Sequence, residues 1–169
     1  MRDLPACKTC VSSGFLCNSC QEKLDTGALT QFELDLAKDL LALEEEEQFS
    51  FLKNITFNKA IDFEDVVIFV VGKKDKLKIT PKLINWLKET YEVDELIIIE
   101  RTKNPRAVLE NLIAPSKLIS LNEIFLATGD IEFKGVLNKK DQVTILFTKE
   151  ELEELILELT DNKIRIEYE

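Results

Sequence analysis

All four cysteines of the chain fall in its first 20 residues, as Cys7-Lys8-Thr9-Cys10 and Cys17-Asn18-Ser19-Cys20. Two C-x-x-C pairs place four thiolates within reach of one ion, which a tetrahedral zinc would bind at about 2.3 Å. Gly14 lies between the pairs, where the chain must reverse tightly. The segment has few apolar side chains besides Leu4, Val11, Phe15 and Leu16. It cannot build a core of its own, so the metal is expected to supply its folding energy. A closed four-cysteine site keeps no open coordination position and is therefore structural. Two disulfides conflict with an intracellular chain. A redox C-x-x-C normally stands as one pair beside a βαβ unit. Iron takes the same four sulfurs, and the residues alone do not separate it from zinc. The expectation is one structural Zn2+ on Cys7, Cys10, Cys17 and Cys20.

Composition narrows the remaining chemistry. The 169 residues contain no histidine, which removes the commonest general acid/base and every Ser-His or Cys-His nucleophile pair. Five glycines leave no Gly-rich phosphate cradle, and no carboxylate pair stands out on an apolar background. A non-enzymatic protein without a small-molecule substrate is expected. No run is apolar enough to span a bilayer and Met1–Pro5 lacks the apolar centre of a signal peptide, so a cytoplasmic protein without membrane contact is expected. The net charge of −10 disfavours nucleic-acid binding by bulk charge. Lysine is nevertheless concentrated locally. Residues 67–90 hold Lys73, Lys74, Lys76, Lys78, Lys82 and Lys88 against Asp75 and Glu89, whereas residues 29–66 carry ten acids and three bases. A solvated loop explains such lysines as readily as an RNA contact does.

The elements that position these groups follow from pattern. Residues 21–29 read as a linker with a turn at Asp25-Thr26-Gly27. Thr30 with Glu33 forms a capping box for a helix to about Glu47, whose apolar face is Leu36, Leu40 and Leu43. Val66–Val71 and Leu96–Ile99 are continuous β-branched or aliphatic runs, expected as buried strands. Thr80-Pro81 opens a helix to about Tyr91, and Asn104-Pro105 opens another to Ala114-Pro115. Leu118–Leu126 and Ile131–Leu137 form a hairpin across Thr128-Gly129-Asp130, and Asn138–Asp141 forms a further turn. Val143–Phe147 is strand-like. Thr148 with Glu151 caps a helix over Lys149–Leu159, and Ile164–Tyr168 alternates as a half-buried strand. Phe69 and Trp86 are conceivable stacking partners for a base, with burial the expectation for both. The fold class is α+β: a zinc knuckle over 1–28, a helical arm over 29–56, and two similar α/β units over 57–116 and 117–169.

Two stretches resemble a known family. Arg106–Ile119, a helix ending in Ala114-Pro115-Ser116 and running into a strand, resembles the junction between the two KH units of NusA. Thr160–Ile166 looks like the end of the second KH unit, with its Lys-Ile-x-Ile strand. With the N-terminal cysteines, the chain resembles archaeal NusA-like proteins carrying a zinc finger ahead of a KH region. The resemblance implies two KH-like units and association with single-stranded RNA, RNA polymerase or the ribosome, in transcription or translation. It places the nucleic-acid loop at Gly72, Lys73, Lys74, Lys76, Lys78 and Lys82. The departure is the GXXG loop by which KH units clamp a nucleic-acid backbone. The first loop reads Gly72-Lys73-Lys74-Asp75 without a second glycine at that spacing. In the second, Phe147-Thr148-Lys149-Glu150-Glu151 runs directly into an acidic helix start. The alternative implied by these losses is an adaptor that docks to polymerase or ribosome with RNA binding gone.

Overall fold

A computed structural model describes every residue from Met1 to Glu169. The chain is α+β and divides into two compact units, Met1–Arg101 and Thr102–Glu169, each with its own three-stranded sheet.

In the first unit, strand β1 (Phe57–Phe63) runs antiparallel to β2 (Val66–Val71), and β3 (Glu95–Glu100) lies parallel to β2 on its other side. All six residues of the central strand β2 are buried, which its lack of any polar position foreshadows. Helices α1 (Lys8–Ser13), α2 (Asn18–Asp25), α3 (Gln31–Leu43) and α4 (Pro81–Tyr91) complete the unit. Leu36, Ala37, Leu40 and Leu43 of α3 recur at helical spacing and share one core with Leu83 and Leu87 of α4 and Phe57, Phe69 and Val71 of the sheet. The Phe57 and Phe69 rings meet at 5.0 Å between centroids. The predicted capping box at Thr30 and Glu33 is present, and it does more than cap. One Glu33 oxygen accepts the Thr30 N–H and the other accepts the Ala60 N–H of β1, both at 2.9 Å. A carboxylate only 1% exposed thereby ties α3 to the sheet with both oxygens satisfied.

In the second unit, β4 (Leu118–Phe125) and β5 (Ile131–Leu137) form the expected antiparallel hairpin, and β6 (Ile164–Tyr168) lies parallel to β5. Helices α5 (Pro105–Ile113) and α6 (Lys149–Thr160) pack together through buried Val108, Leu109 and Leu112 and buried Leu152, Leu155 and Ile156. Gly135 of β5 admits that layer: a Cβ there would lie 3.2 Å from both Leu109 and Ile166. The two units repeat one plan. Each runs helix, strand, strand, helix, strand, with the last two strands parallel and a register shift near the start of the first strand, at Phe57/Lys59 and Leu118/Ser120.

Several expectations are corrected. Residues 21–29 are no linker, because α2 continues through them to Asp25 and only the Gly27 turn remains. Helix α3 stops at Leu43 and not near Glu47. Glu44–Glu47 would stack four carboxylates on the negative end of the helix dipole, and a 3-10 helix over Glu47–Asn54 follows. Val143–Phe147 is not a strand. Its alternation is real burial, with Ile145 and Phe147 inside and Val143 and Leu146 outside, but no neighbour offers a ladder. The boundary expected after residue 116 falls at Arg101–Thr102, since α5 packs on α6 and β4. Segments 1–28 and 29–56 are not separate bodies, for the reason given by the metal centre below.

Candidate metal centre and lysine turn

The two C-x-x-C pairs are built alike. Cys7 and Cys17 precede α1 and α2 in extended conformation, and Cys10 and Cys20 sit in the first turn of each helix. That offset directs both sulfurs of a pair to one point. Gly14 ends α1 at φ +77°, the left-handed conformation that lets the chain double back to the second pair. All four Sγ atoms lie within 4.8 Å of one another. Cys7 Sγ is 2.9 Å from Cys10, 3.9 Å from Cys17 and 3.6 Å from Cys20. A tetrahedron with metal–sulfur bonds of about 2.3 Å has edges of about 3.8 Å, so the last two separations already fit one ion. The Cys17 N–H donates to Cys10 Sγ at 3.2 Å, an interaction that favours a thiolate.

The thiols also show why a cation suits the cluster. Cys17 is pushed down to about 7, first by a Cys20 backbone N–H, and Cys7 is lowered by its contact with Cys10. Cys10 is pushed up to about 12 by that same contact. Four crowded thiols cannot all ionise beside one another, and a divalent ion removes that conflict by holding every sulfur as thiolate. The donor set fits a structural metal ion and offers no open position for substrate.

Cys10 and Cys20 are 4% and 3% exposed, and this burial decides the domain organisation. With Leu4, Ala6 and Val11 they enter the same core as Leu29, Leu34 and Ala37. The chain ahead of them is stitched to the sheet: Arg2 N–H donates to the Ile55 carbonyl at 2.8 Å and Phe57 N–H to the Asp3 carbonyl at 3.0 Å. The knuckle is therefore a wall of the first unit.

The lysine-rich segment is the crossover from β2 to α4. Lys73, Lys74, Lys76, Lys78 and Lys82 are all exposed and gathered on this one connection. Asp75 organises it from inside. Its carboxylate, fully buried, accepts the Thr56 N–H at 2.9 Å and Lys78 Nζ at 2.7 Å, with Arg2 3.8 Å away. Burial pushes the Asp75 acid up, but the Lys78 and Thr56 hydrogen bonds and the Lys78 and Arg2 charges outweigh it and hold the group below the usual carboxylate value. Gly72 is required here because a Cβ would lie 2.6 Å from Asp75 Oδ2. Lys82, in the first turn of α4, bonds Gln48 and stands 6.0 Å over the Phe49 ring. Phe69 is 0% exposed and Trp86 packs half-buried on the core, so Phe69 has no face for a base. Sequence reasoning counted Asp75 only as a charge to subtract. The signal available was an aspartate three residues before a lysine in a short turn, a local pair.

No helix is long and apolar enough to cross a membrane. No protein-family model matches the chain. No curated protein matches it either. Among solved structures, the chain is similar to one described as the crystal structure of APE1850, at 18% identity, over 68% of this chain and 88% of that chain, with a TM-score of 0.48.

Proposed function

We propose that this is a non-catalytic, NusA-like RNA- or ribonucleoprotein-binding factor, with a structural zinc and two degenerate KH-like units. The observation that carries the reading is the exposed lysine set Lys73, Lys74, Lys76, Lys78 and Lys82 on the first unit's crossover, in a chain of net charge −10. Lys78 is paired with the buried Asp75, and the four other lysines concentrated against an acidic background supply positive charge suited to phosphates. Their contribution is electrostatic and sets position more than base preference. The repeated helix–strand–strand–helix–strand plan, with a parallel final pair, agrees with the two-KH arrangement that the sequence resemblance implies.

The alternative, docking to a basic surface of RNA polymerase or the ribosome, draws on the groove of the second unit where Glu132, Glu150, Glu153 and Glu154 outnumber Lys163 and Arg165. The test is binding of zinc-loaded protein to fluorescent single-stranded RNA at rising salt, beside the five-lysine alanine variant. Salt-sensitive binding that the variant loses supports the RNA reading. Failure of the unsubstituted protein to bind at low salt defeats it and leaves the adaptor.

A further inference from the structure

The crossover that joins β5 to α6 in the second unit repeats the lysine turn of the first. Gly72-Lys73-Lys74-Asp75-Lys76-Leu77-Lys78-Ile79 stands against Asn138-Lys139-Lys140-Asp141-Gln142-Val143-Thr144-Ile145, and each run leads to a helix-capping threonine, Thr80 or Thr148. The turns share two backbone bonds, although Lys74 is left-handed at φ +68° where Lys140 is not, and the 3-10 helix covers Lys76–Lys78 in the first and Lys139–Val143 in the second. Asp75 N–H donates to the Gly72 carbonyl at 3.0 Å and Lys78 N–H to the Asp75 carbonyl at 2.9 Å. The equivalent bonds, Asp141 to Asn138 and Thr144 to Asp141, are both 2.9 Å. Each turn presents two adjacent exposed lysines, and each exposes one aliphatic side chain almost completely: Leu77 at 88% and Val143 at 89%.

A single exposed aliphatic residue is ordinary. Two of them, at the same aligned position of the matching crossover in both units, each three residues after a lysine pair, form a recurring pattern. We infer that the Lys139–Lys140–Val143 turn is a second contact site for single-stranded RNA, in which the lysines meet phosphates and Val143 meets the face of an unstacked base. This rests on the RNA reading above and extends it from one site to two. Charge complementarity selects the occupant, since a lysine pair on an acidic protein attracts a polyanion, and an unpaired strand alone also offers flat apolar faces. The second site is the weaker one. Where the first turn adds Lys76, Lys78 and Lys82, the second has Gln142, Thr144 and Glu150. It depends more on apolar contact, to which Leu146, 55% exposed, also contributes.

The experiment is anisotropy of labelled oligouridine on the full-length, zinc-loaded chain across a potassium chloride series. Four proteins are compared: unsubstituted, K73A/K74A, K139A/K140A and Val143→Ser. The substituted side chains are exposed, and circular dichroism checks that each variant is folded. K139A/K140A is expected to weaken binding and flatten the log–log salt slope by about 1.4, two phosphates at roughly 0.7 each. Val143→Ser is expected to weaken binding without changing the slope. Wild-type affinity and slope in K139A/K140A, beside a loss in K73A/K74A, would overturn the second site and leave the RNA reading standing. No binding by the unsubstituted protein would remove both. Equal binding of poly-glutamate would assign the turn to acidic protein segments and overturn the proposal.

Discussion

The two units share a plan but are held together differently. The first has buried polar anchors at its joints: Glu33 bridges helix and sheet, Asp75 pins the crossover, and four cysteines close one wall. The second unit relies mainly on apolar packing of α5 and α6 on the sheet, with a comparable bridge in Glu153 of α6, which accepts the Ile166 N–H of β6 at 2.8 Å, while its capping carboxylate, Glu151, serves Thr148 at a solvent-exposed helix end. The same topology thus carries two fully buried carboxylate anchors and a cysteine cluster in one case, and apolar burial with a part-buried carboxylate bridge in the other.

Metal removal breaks the comparison most severely. Structural zinc sites contribute on the order of 10–16 kcal/mol of apparent binding energy, more than most domains have to lose. Stripping the metal, or combining Cys10→Ser with Cys20→Ser, should cost amide protection across Met1–Arg101, since those sulfurs lie in that unit's core. Residues 102–169 should keep theirs, and joint loss would show that the units fold as one. This differs from the expectation that an isolated knuckle would unfold alone.

The capping glutamates sharpen the contrast. Glu33→Ala leaves the Ala60 and Thr30 N–H groups without acceptors inside the fold and should cost about 3 kcal/mol by denaturant unfolding. Glu151→Ala at the exposed box should cost about 0.5–1 kcal/mol. If the two values agreed, the buried bridge would have no special weight.

The crossover turns differ in the same sense. Gly72→Ala drives a methyl into the Asp75 carboxylate and should cost about 1–3 kcal/mol. The matching Asn138 carries a side chain in the open, accepting the Lys140 N–H at 3.0 Å, and Asn138→Ala should cost about 1 kcal/mol or less.

The smallest effect is in acid. Asp75 has a folded pKa below its unfolded value, so its stabilisation is complete above the unfolded carboxylate pKa of about 3.9 and disappears as pH falls through the folded value. Acid titration of the first unit should therefore lose part of its steepness below about pH 4 in Asp75→Asn, while the second unit's titration is unchanged.

Much of the local structure was legible before any coordinates. Thr30 and Glu33, Thr80 and Pro81, Asn104 and Pro105, and Thr148 and Glu151 each open the helix their chemistry announces, because a cap needs only neighbours three residues away. The cysteine set was legible for the same reason, its spacing being a property of short loops. Strand β1 was less so: Phe57 to Phe63 mixes Asn58, Lys59 and Asp62 with apolar residues, and its identity comes from pairing with β2. Val143–Phe147 misled in the opposite direction, since alternating burial arises wherever a turn sends every other side chain inward.

By itself, then, the sequence determined the α+β class, the four-cysteine set, the starts of α3 to α6 and the concentration of lysine near residue 75. Tertiary structure alone decided that Cys10 and Cys20 belong to a shared core, that α5 serves the second unit, that Glu33 and Asp75 are anchors and not surface charge, and that Leu77 and Val143 are left outside. The reason is one of range. Caps, turns and ligand spacings act over three or four residues and are written in order along the chain. Burial is fixed by partners far away in sequence, as with Ala60 on Glu33 and Thr56 on Asp75, and a residue's letter does not say which side of such a contact it will occupy.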